Sequence, residues 1–297
     1  MTIIDDYLDF HEKYSNEYGE FTCVLMQVGH FFEAYAVDNE YERSNADNIY
    51  RLSDVMNIQL TRKTKSIAKN SRKNPLMIGV NLFSYDKYVQ ILLNANYTVV
   101  VIEQTTPPPE PEREVTNIFS PGINMQHEIK GNTSNCVCLY METVKDLKKY
   151  KDVIYIGISC IDLSTGTSKV FETYSNIQDK TLALDEAFRF IQITDPKEVL
   201  IYKKDISLNN SELSGYFDLS SRVTHIKESS DIPNEFTNIS YQKTFFEKIY
   251  KNTGLLSVIE YLDLERRPFG TISFMCLLDF AYKHNENIIN QINKPEI

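Results

Sequence analysis

Four prolines within the five-residue segment Pro107–Pro111 constrain the folding of this chain more than any other feature. A proline fixes its own φ angle and lacks the amide hydrogen that a helix or a central strand needs. We therefore expect a linker to begin there and a first domain to close near Gly122. With 297 residues, of which 42% are hydrophobic, the chain is long enough for two domains and part of a third.

Helical and extended patterns alternate along the chain, which predicts a mixed α/β fold. Helices are predicted near residues 5–16, 42–56 and 85–94 and from residue 182 to Asp195-Pro196, and strands near residues 21–28, 98–102, 153–159, 168–173, 198–202 and 222–226. Asp5 or Asp6 is expected to cap the first helix and Ser84 the third. After residue 241 the helical faces are so apolar that we expect them to pack against sequence outside the chain.

Composition excludes several classes of protein. No window approaches the roughly 18 consecutive apolar residues that a membrane span needs, and the first residues lack a secretion signal. We therefore expect an intracellular protein of the cytoplasm, nucleus or an organelle, without a membrane partner. The five cysteines are odd in number and scattered, so reduced thiols are expected. Cys136-x-Cys138 lacks a second ligand pair, so we predict no metal site.

The net charge of −10 argues against a generally basic nucleic-acid surface. One stretch differs, because six cations and no acid lie between Thr61 and Lys73: Arg62, Lys63, Lys65, Lys69, Arg72 and Lys73. Such a stripe can displace counterions from phosphates. A solvated surface loop has the same composition, and both interpretations stay open on charge alone.

A large ring and a carboxylate occupy alternate positions at Phe31 and Glu33. On an extended segment, side chains two residues apart leave the backbone on the same face. A ring can wedge between stacked bases, and a nearby carboxylate can accept a hydrogen bond from an unstacked base. The ordinary alternative is a half-buried strand with Phe inside and Glu outside.

The segment Gly29–Tyr35 resembles the mismatch-recognition motif of the MutS family, with His30 where the family usually has aspartate and Phe32 where it has tyrosine. Other segments are similar to the family in the same order: Asn57–Lys63, Pro75–Val80, Val101–Gln104, Ser120–Gly122 and Ile156–Gly166. The resemblance leans toward the divergent branch seen in large viruses and some mitochondria.

This resemblance implies three regions. Residues 1–122 would be the mixed-sheet mismatch-recognition domain and residues 123–240 a ribonuclease-H-like connector. Residues 241–297 would hold the first helices of an α-helical lever, so that the chain is an amino-terminal fragment.

The resemblance also implies recognition of mispaired or looped duplex DNA in mismatch repair. Phe31 would be the wedge and Glu33 the base-contacting acid. From the charge stripe we add Arg62, Lys63 and Lys65 as phosphate contacts. We predict no catalytic residue and no cofactor here, because no Gly-x-x-x-x-Gly-Lys-Ser/Thr loop occurs in the sequence. ATP, magnesium, homodimer formation and a downstream repair nuclease or linker protein are expectations for the full-length protein.

Two other functions remain open. A ribonuclease-H-like nuclease would hold metal ions with strand-end carboxylates, for which Asp162, Glu172 and Glu198 are the candidates. A family relative without mismatch recognition would instead be a scaffold that binds DNA junctions or proteins.

Overall fold

The computed structural model describes residues 2–107, 109, 111–124, 135–146, 151–176 and 178–297. The chain divides into two compact units, Met1–Lys130 and Gly131–Ile297. Each unit combines a mixed sheet with helices, which confirms the predicted mixed α/β class. None of the helices in the described ranges is both long and apolar enough to cross a membrane.

The first unit is built on a seven-stranded sheet in the order β4-β5-β2-β1-β6-β7, with β3 paired to β2. Its elements are α1 (Ile3–Tyr18), β1 (Thr22–Val28), β2 (Phe31–Asp38), β3 (Arg43–Ser44), α2 (Ala46–Met56), β4 (Thr61–Arg62), β5 (Leu76–Asn81), α3 (Tyr85–Asn94), β6 (Thr98–Gln104) and β7 (Arg113–Phe119). β1 and β6 are parallel and their neighbours antiparallel. The strand that carries the Phe-x-Glu pair is therefore interior to the sheet.

The proline segment does not begin a linker between domains, and this expectation is wrong. β6 and β7 pair antiparallel on either side of it, with Val99 opposite Phe119 and Gln104 opposite Arg113. The described prolines, Pro107, Pro109 and Pro111, therefore lie in a connection between two strands of one sheet. A loop tolerates them because its amides need not pair with a neighbouring strand.

Two predicted helix caps differ from the structure. Thr2, rather than Asp5 or Asp6, caps α1, and Asp5 completes a capping box by accepting the Thr2 amide. The Ser84 side chain makes no capping bond to α3. Asn81 instead caps the short 3₁₀ turn Leu82–Ser84 that precedes this helix.

The second unit has a five-stranded sheet in the order β10-β9-β8-β11-β12. Its main elements are β8 (Asn135–Asp146), β9 (Lys151–Asp162), β10 (Thr167–Tyr174), α4 (Leu182–Thr194), β11 (Glu198–Lys204), α5 (Asn210–Tyr216), β12 (Val223–Glu228), α6 (Ile239–Ile249), α7 (Val258–Tyr261) and α8 (Pro268–His284). α4 and α5 pack on one face of the sheet through a continuous apolar core. The ribonuclease-H-like assignment of this region stays a prediction.

α8 packs on the other face of the second sheet. The Ser273 hydroxyl donates to the Cys138 carbonyl oxygen at 2.8 Å and lies 2.8 Å from the Ser159 hydroxyl. The expectation that the late helices pack against sequence outside the chain is therefore wrong for α8, whose partners include β8 and β9, more than 100 residues earlier. The predicted domain boundaries at residues 122 and 240 stay predictions.

Candidate DNA interface

A two-residue turn places Phe31 at the end of β2. Gly29 and His30 connect β1 to β2, and Val28 pairs with Phe31 across the turn. Gly29 has a φ of 60°, the left-handed conformation that glycine adopts without steric cost at the first position of a tight hairpin turn. Phe31 is 47% exposed, whereas its neighbour Phe32 is 1% exposed.

Glu33 lies on the same side of β2 as Phe31 and is partly exposed. The interior position on this strand belongs to Phe32, whose ring contacts Tyr85 at 4.8 Å between centroids. The half-buried-strand interpretation thus applies to Phe32, whereas Phe31 and Glu33 both reach solvent. Their predicted roles stay predictions, but the geometry on which those roles depend is present.

Tyr35 fixes the Glu33 carboxylate, and the sequence analysis did not identify this residue. The Tyr35 hydroxyl donates a hydrogen bond to Glu33 Oε2. Burial, and next the bond to Glu33, raise the pKa of Tyr35, which keeps it a protonated donor. Tyr7 packs edge-on against the Tyr35 ring, with 5.2 Å between centroids. The continuation of the period-two pattern from Phe31 through Glu33 to Tyr35 is the signal that would have found it.

Gly79 on β5 leaves room for the Glu33 side chain. The two residues are opposite in the β2–β5 ladder. A Cβ added at Gly79 would lie 3.5 Å from Glu33 Cγ, an ordinary contact distance. The Glu33 stem therefore lies over bare backbone, with its carboxylate between Tyr35 and solvent.

The basic loop, defined as residues 62–73, lies at the other end of β2 from Phe31. Asp38, the last residue of β2, donates its amide to Asn70 Oδ1 of the loop at 3.0 Å. Seven residue steps along a strand separate Asp38 from Phe31, or about 23 Å. The structure therefore does not gather the five predicted site residues at one point. Contacts from both ends would be spread over about seven base pairs at 3.4 Å per step.

Asn74 orders this loop from inside. It is 3% exposed, its side-chain amide donates to the carbonyl oxygens of Ile67 and Lys69, and its side-chain oxygen accepts the Thr64 amide. The exposed backbone of the loop is therefore held by a buried side chain rather than by regular structure.

The cations of the basic loop differ in availability. Arg72 is internally paired, with Asp5 at 2.8 Å and Glu42 at 2.9 Å, and its guanidinium lowers the pKa of Asp5 to about 2. Arg62 donates to the Ala68 carbonyl oxygen at 2.9 Å. Four lysines of the basic loop are exposed and form no ion pair with any residue in the described ranges: Lys63, Lys65, Lys69 and Lys73.

The three candidate nuclease carboxylates perform separate structural tasks. Asp162 accepts bonds from the Ser164 amide and hydroxyl in the β9–β10 turn. Glu172 accepts the Phe269 and Gly270 amides at the start of α8, and Glu198 is buried at 2.7 Å from His225 Nε2. Among the described residues, no three His, Cys, Asp or Glu side chains are grouped as metal ligands.

All five cysteines are buried free thiols. Burial raises the pKa of Cys136 and of Cys160, so both thiols stay protonated near neutral pH. These cysteines are small apolar residues of the core.

Fold and surface together define the class: a mixed α/β protein that presents a ring and a carboxylate from one interior strand and an ordered, lysine-bearing loop at its far end. Residues 4–128 match the family model of MutS domain I. Residues 4–128 are thus a MutS domain I, which confirms the resemblance to the MutS family seen in the sequence.

Three relatives show the extent of the similarity. The chain is 29% identical, over its whole length, to a DNA mismatch repair mutS homologue of Acanthamoeba polyphaga mimivirus, and covers 28% of that protein. It is 25% identical over 91% of its length to the DNA mismatch repair protein MutS of Thermosipho melanesiensis, covering 27% of it. Against the MutS of Thermodesulfovibrio yellowstonii it is 27% identical over 72% of its length, covering 21%. The chain thus spans between about a fifth and just over a quarter of these relatives.

Proposed function

We propose that the first unit recognises mispaired or looped duplex DNA, with Phe31 as the wedge and Glu33 as the acid that contacts a displaced base. The observation that carries this proposal is the exposed ring of Phe31 beside a positioned carboxylate, on an interior strand of a MutS domain I. The names of the similar proteins as DNA mismatch repair proteins support the same class of ligand.

Discrimination in this mechanism is energetic. Inserting a ring costs a few kcal/mol in lost base stacking, and contact with the displaced base returns on the order of 1 to 3 kcal/mol. A mispair has already lost part of its pairing and stacking, so the same insertion costs less there than in matched duplex. The resulting kink is also easier at flexible sites, which adds selectivity without base-specific contacts.

Glu33 adds a second selection against matched DNA. Its carboxylate approaches a polyanion, and this repulsion opposes binding of every duplex. A base that has lost its partner can offer the Glu33 carboxylate an additional donor, one that pairing occupies in matched duplex. The anion therefore disfavours matched duplex more than mispaired duplex.

The basic loop supplies sequence-independent affinity. Lys63 and Lys65 are exposed and project from a loop that Asn74 holds. Each lysine that meets a phosphate releases counterions and strengthens binding at low salt. Arg62 adds a third cation, one of whose donors is already used within the loop.

The whole protein's activity is a further part of the proposal. We propose that the full-length protein is an ATPase that uses ATP and magnesium and forms a homodimer. The described chain would supply DNA recognition, and a downstream nuclease or linker protein would act on the bound lesion.

The test compares two duplexes that differ only at one G·T mispair. Full-length protein carrying Phe31→Ala should bind both with equal affinity, because the wedge that separates them is gone. Phe31→Tyr keeps a ring of the same size and should retain the preference. Preferential binding of the mispaired duplex by Phe31→Ala at the wild-type ratio would remove Phe31 from the mechanism.

A further inference from the structure

A second ring, that of Phe83, is almost fully exposed in the first unit, at 96%. It lies in the 3₁₀ turn Leu82–Ser84 between β5 and α3. An isolated exposed apolar side chain needs no explanation by itself. Its position relative to Phe31 makes this one informative.

The backbone that carries Phe83 is well fixed. The Phe83 amide donates to Asn81 Oδ1 at 2.9 Å, and the Ser84 hydroxyl donates to the Asn81 carbonyl oxygen at 3.1 Å. The Leu82 amide donates to the His30 carbonyl oxygen at 3.1 Å. The turn that carries Phe83 is thus ordered, while the ring itself is exposed to solvent.

The same bonds place Phe83 beside the wedge. Asn81 is the cross-strand partner of Phe31, and paired Cα atoms lie about 4.5 to 5.5 Å apart. Phe83 follows Asn81 by two residues, a reach of at most about 7 Å. The Cα atoms of Phe31 and Phe83 are therefore within about 13 Å, or roughly four base steps of 3.4 Å.

We propose that Phe83 is a second DNA-contacting residue, which packs its ring on the deoxyribose and base edges within about four base pairs of the mispair. This inference rests on the proposed function, because it needs Phe31 at the lesion. Phe83 has no polar atom, so it would contribute apolar contact rather than reading of base sequence.

The contact should depend on the kink. The minor groove of straight duplex is about 6 Å wide and its bases are paired and stacked, so little apolar base surface is open to a ring held on a rigid turn. Apolar wedges kink the duplex away from the groove that they enter, which exposes sugar and base surface there. Phe83 would therefore contact this sugar and base surface only where Phe31 has bent the DNA.

The test measures binding of full-length Phe83→Ala to the matched and G·T duplexes. We expect about tenfold weaker binding of the mispaired duplex, equivalent to about 1.4 kcal/mol, and less than twofold change for the matched one. Ile193→Ala is the control, since Ile193 is 83% exposed and lies on α4 of the second unit. It should leave both affinities unchanged, and Phe83→Leu should fall between wild type and Phe83→Ala.

The outcomes separate this inference from the proposed function. If Phe31→Ala abolishes the preference for the mispaired duplex but Phe83→Ala binds both duplexes like wild type, Phe83 does not contact DNA. The exposed ring would then be a contact site for a protein partner. An equal loss on both duplexes would also overturn the inference, because the contact would not need the kink. If wild-type protein shows no preference at all, the proposed function itself fails.

Discussion

In the proposed mechanism, Glu33 has two roles that depend on one negative charge: repulsion from phosphates and acceptance of a base donor. Glu33→Gln removes the charge but keeps a carbonyl oxygen that can accept the Tyr35 hydroxyl. We expect tighter binding of matched duplex by about fivefold, equivalent to roughly 1 kcal/mol of removed repulsion. Binding of the mispaired duplex should change less, because the lost charge-assisted bond offsets the gain.

Equilibrium titration of both duplexes at one salt concentration measures this change. Glu12→Gln on α1 is the matched control, since it removes one exposed carboxylate and changes the net charge equally. If Glu12→Gln and Glu33→Gln tighten matched binding equally, the effect is one of total charge and Glu33 has no special position.

His11 makes the first unit sensitive to acid. Burial lowers the pKa of His11 to about 4, whereas an unfolded histidine has a pKa near 6.5. The unfolded chain therefore binds the proton first, and stability present above pH 6.5 is lost as pH falls toward 4. The shift in pKa corresponds to a loss of roughly 3 kcal/mol in the free energy of unfolding between pH 6.5 and pH 4. The Asp5–Arg72 pair acts in a lower window, since the lowered pKa of Asp5 is about 2.

His11→Gln should reduce the loss of stability that occurs as the pH falls from 6.5 toward 4. Asn48 Nδ2 lies 3.2 Å from His11 Nε2, and an amide nitrogen only donates, so the neutral ring accepts at that atom. A Gln side chain also offers an acceptor but does not titrate. Hydrogen exchange of the β1 amides between pH 6.5 and 4.5 reports on this unit. Equal slopes for wild type and variant would show that His11 is not the titrating group.

At the scale of elements, the basic loop is expected to act through phosphate contacts. Replacing Lys63 by Ala should reduce the slope of log affinity against log salt by about 1, because one phosphate contact is lost. Lys180→Ala is the control, an exposed lysine of the second unit that carries the same charge. A slope for Lys63→Ala that matches both wild type and Lys180→Ala would remove Lys63 from the interface.

The contact between α8 and β9 predicts a specific stability change. A Cβ added at Gly157 would lie 2.0 Å from the Phe269 carbonyl oxygen, so Gly157→Ala must displace the start of α8. We expect a loss of about 3 kcal/mol, at the upper end of typical overpacking costs. Gly215→Ala, with no atom within 4 Å of the added Cβ, should change stability little. Urea unfolding measures both, and similar midpoints for the two variants would contradict the close contact.

Elements with strong local signals were predictable from the sequence. Helix α3 has the predicted bounds of 85–94, and β11 begins at the predicted Glu198. β7 was missed because its alternate residues are charged or polar and exposed, which is typical of an edge strand but resembles a loop. The packing of α8 was missed because its partner strands β8 and β9 are more than 100 residues away, and no local pattern carries that information.

At the scale of the whole molecule, the sequence predicted the content of the candidate site better than its layout. The pairing of Phe31 with Glu33 follows from period-two geometry alone. The separation of the basic loop from Phe31 by the length of β2 follows from strand pairing, which the sequence pattern does not encode. Tyr35 continues the same period-two pattern, and the structure adds its packing against Tyr7 and its hydrogen bond to Glu33.

The molecule contains two units with separate cores. The proposed recognition of mispaired DNA is a function of the first unit. The second unit supplies α8 and its sheet, whose integrity Gly157 supports. The residues that distinguish mispaired from matched duplex are thus all expected within Met1–Lys130.

Bending of DNA by the full-length protein tests the central claim most directly. Energy transfer between dyes at the two ends of a short duplex reports the kink, measured at saturating protein so that affinity does not enter. Wild-type protein should bend the G·T duplex and leave matched duplex straight, and Phe31→Ala should bind the G·T duplex without bending it. The same bend with Phe31→Ala as with wild type would contradict insertion of this ring at the mispair.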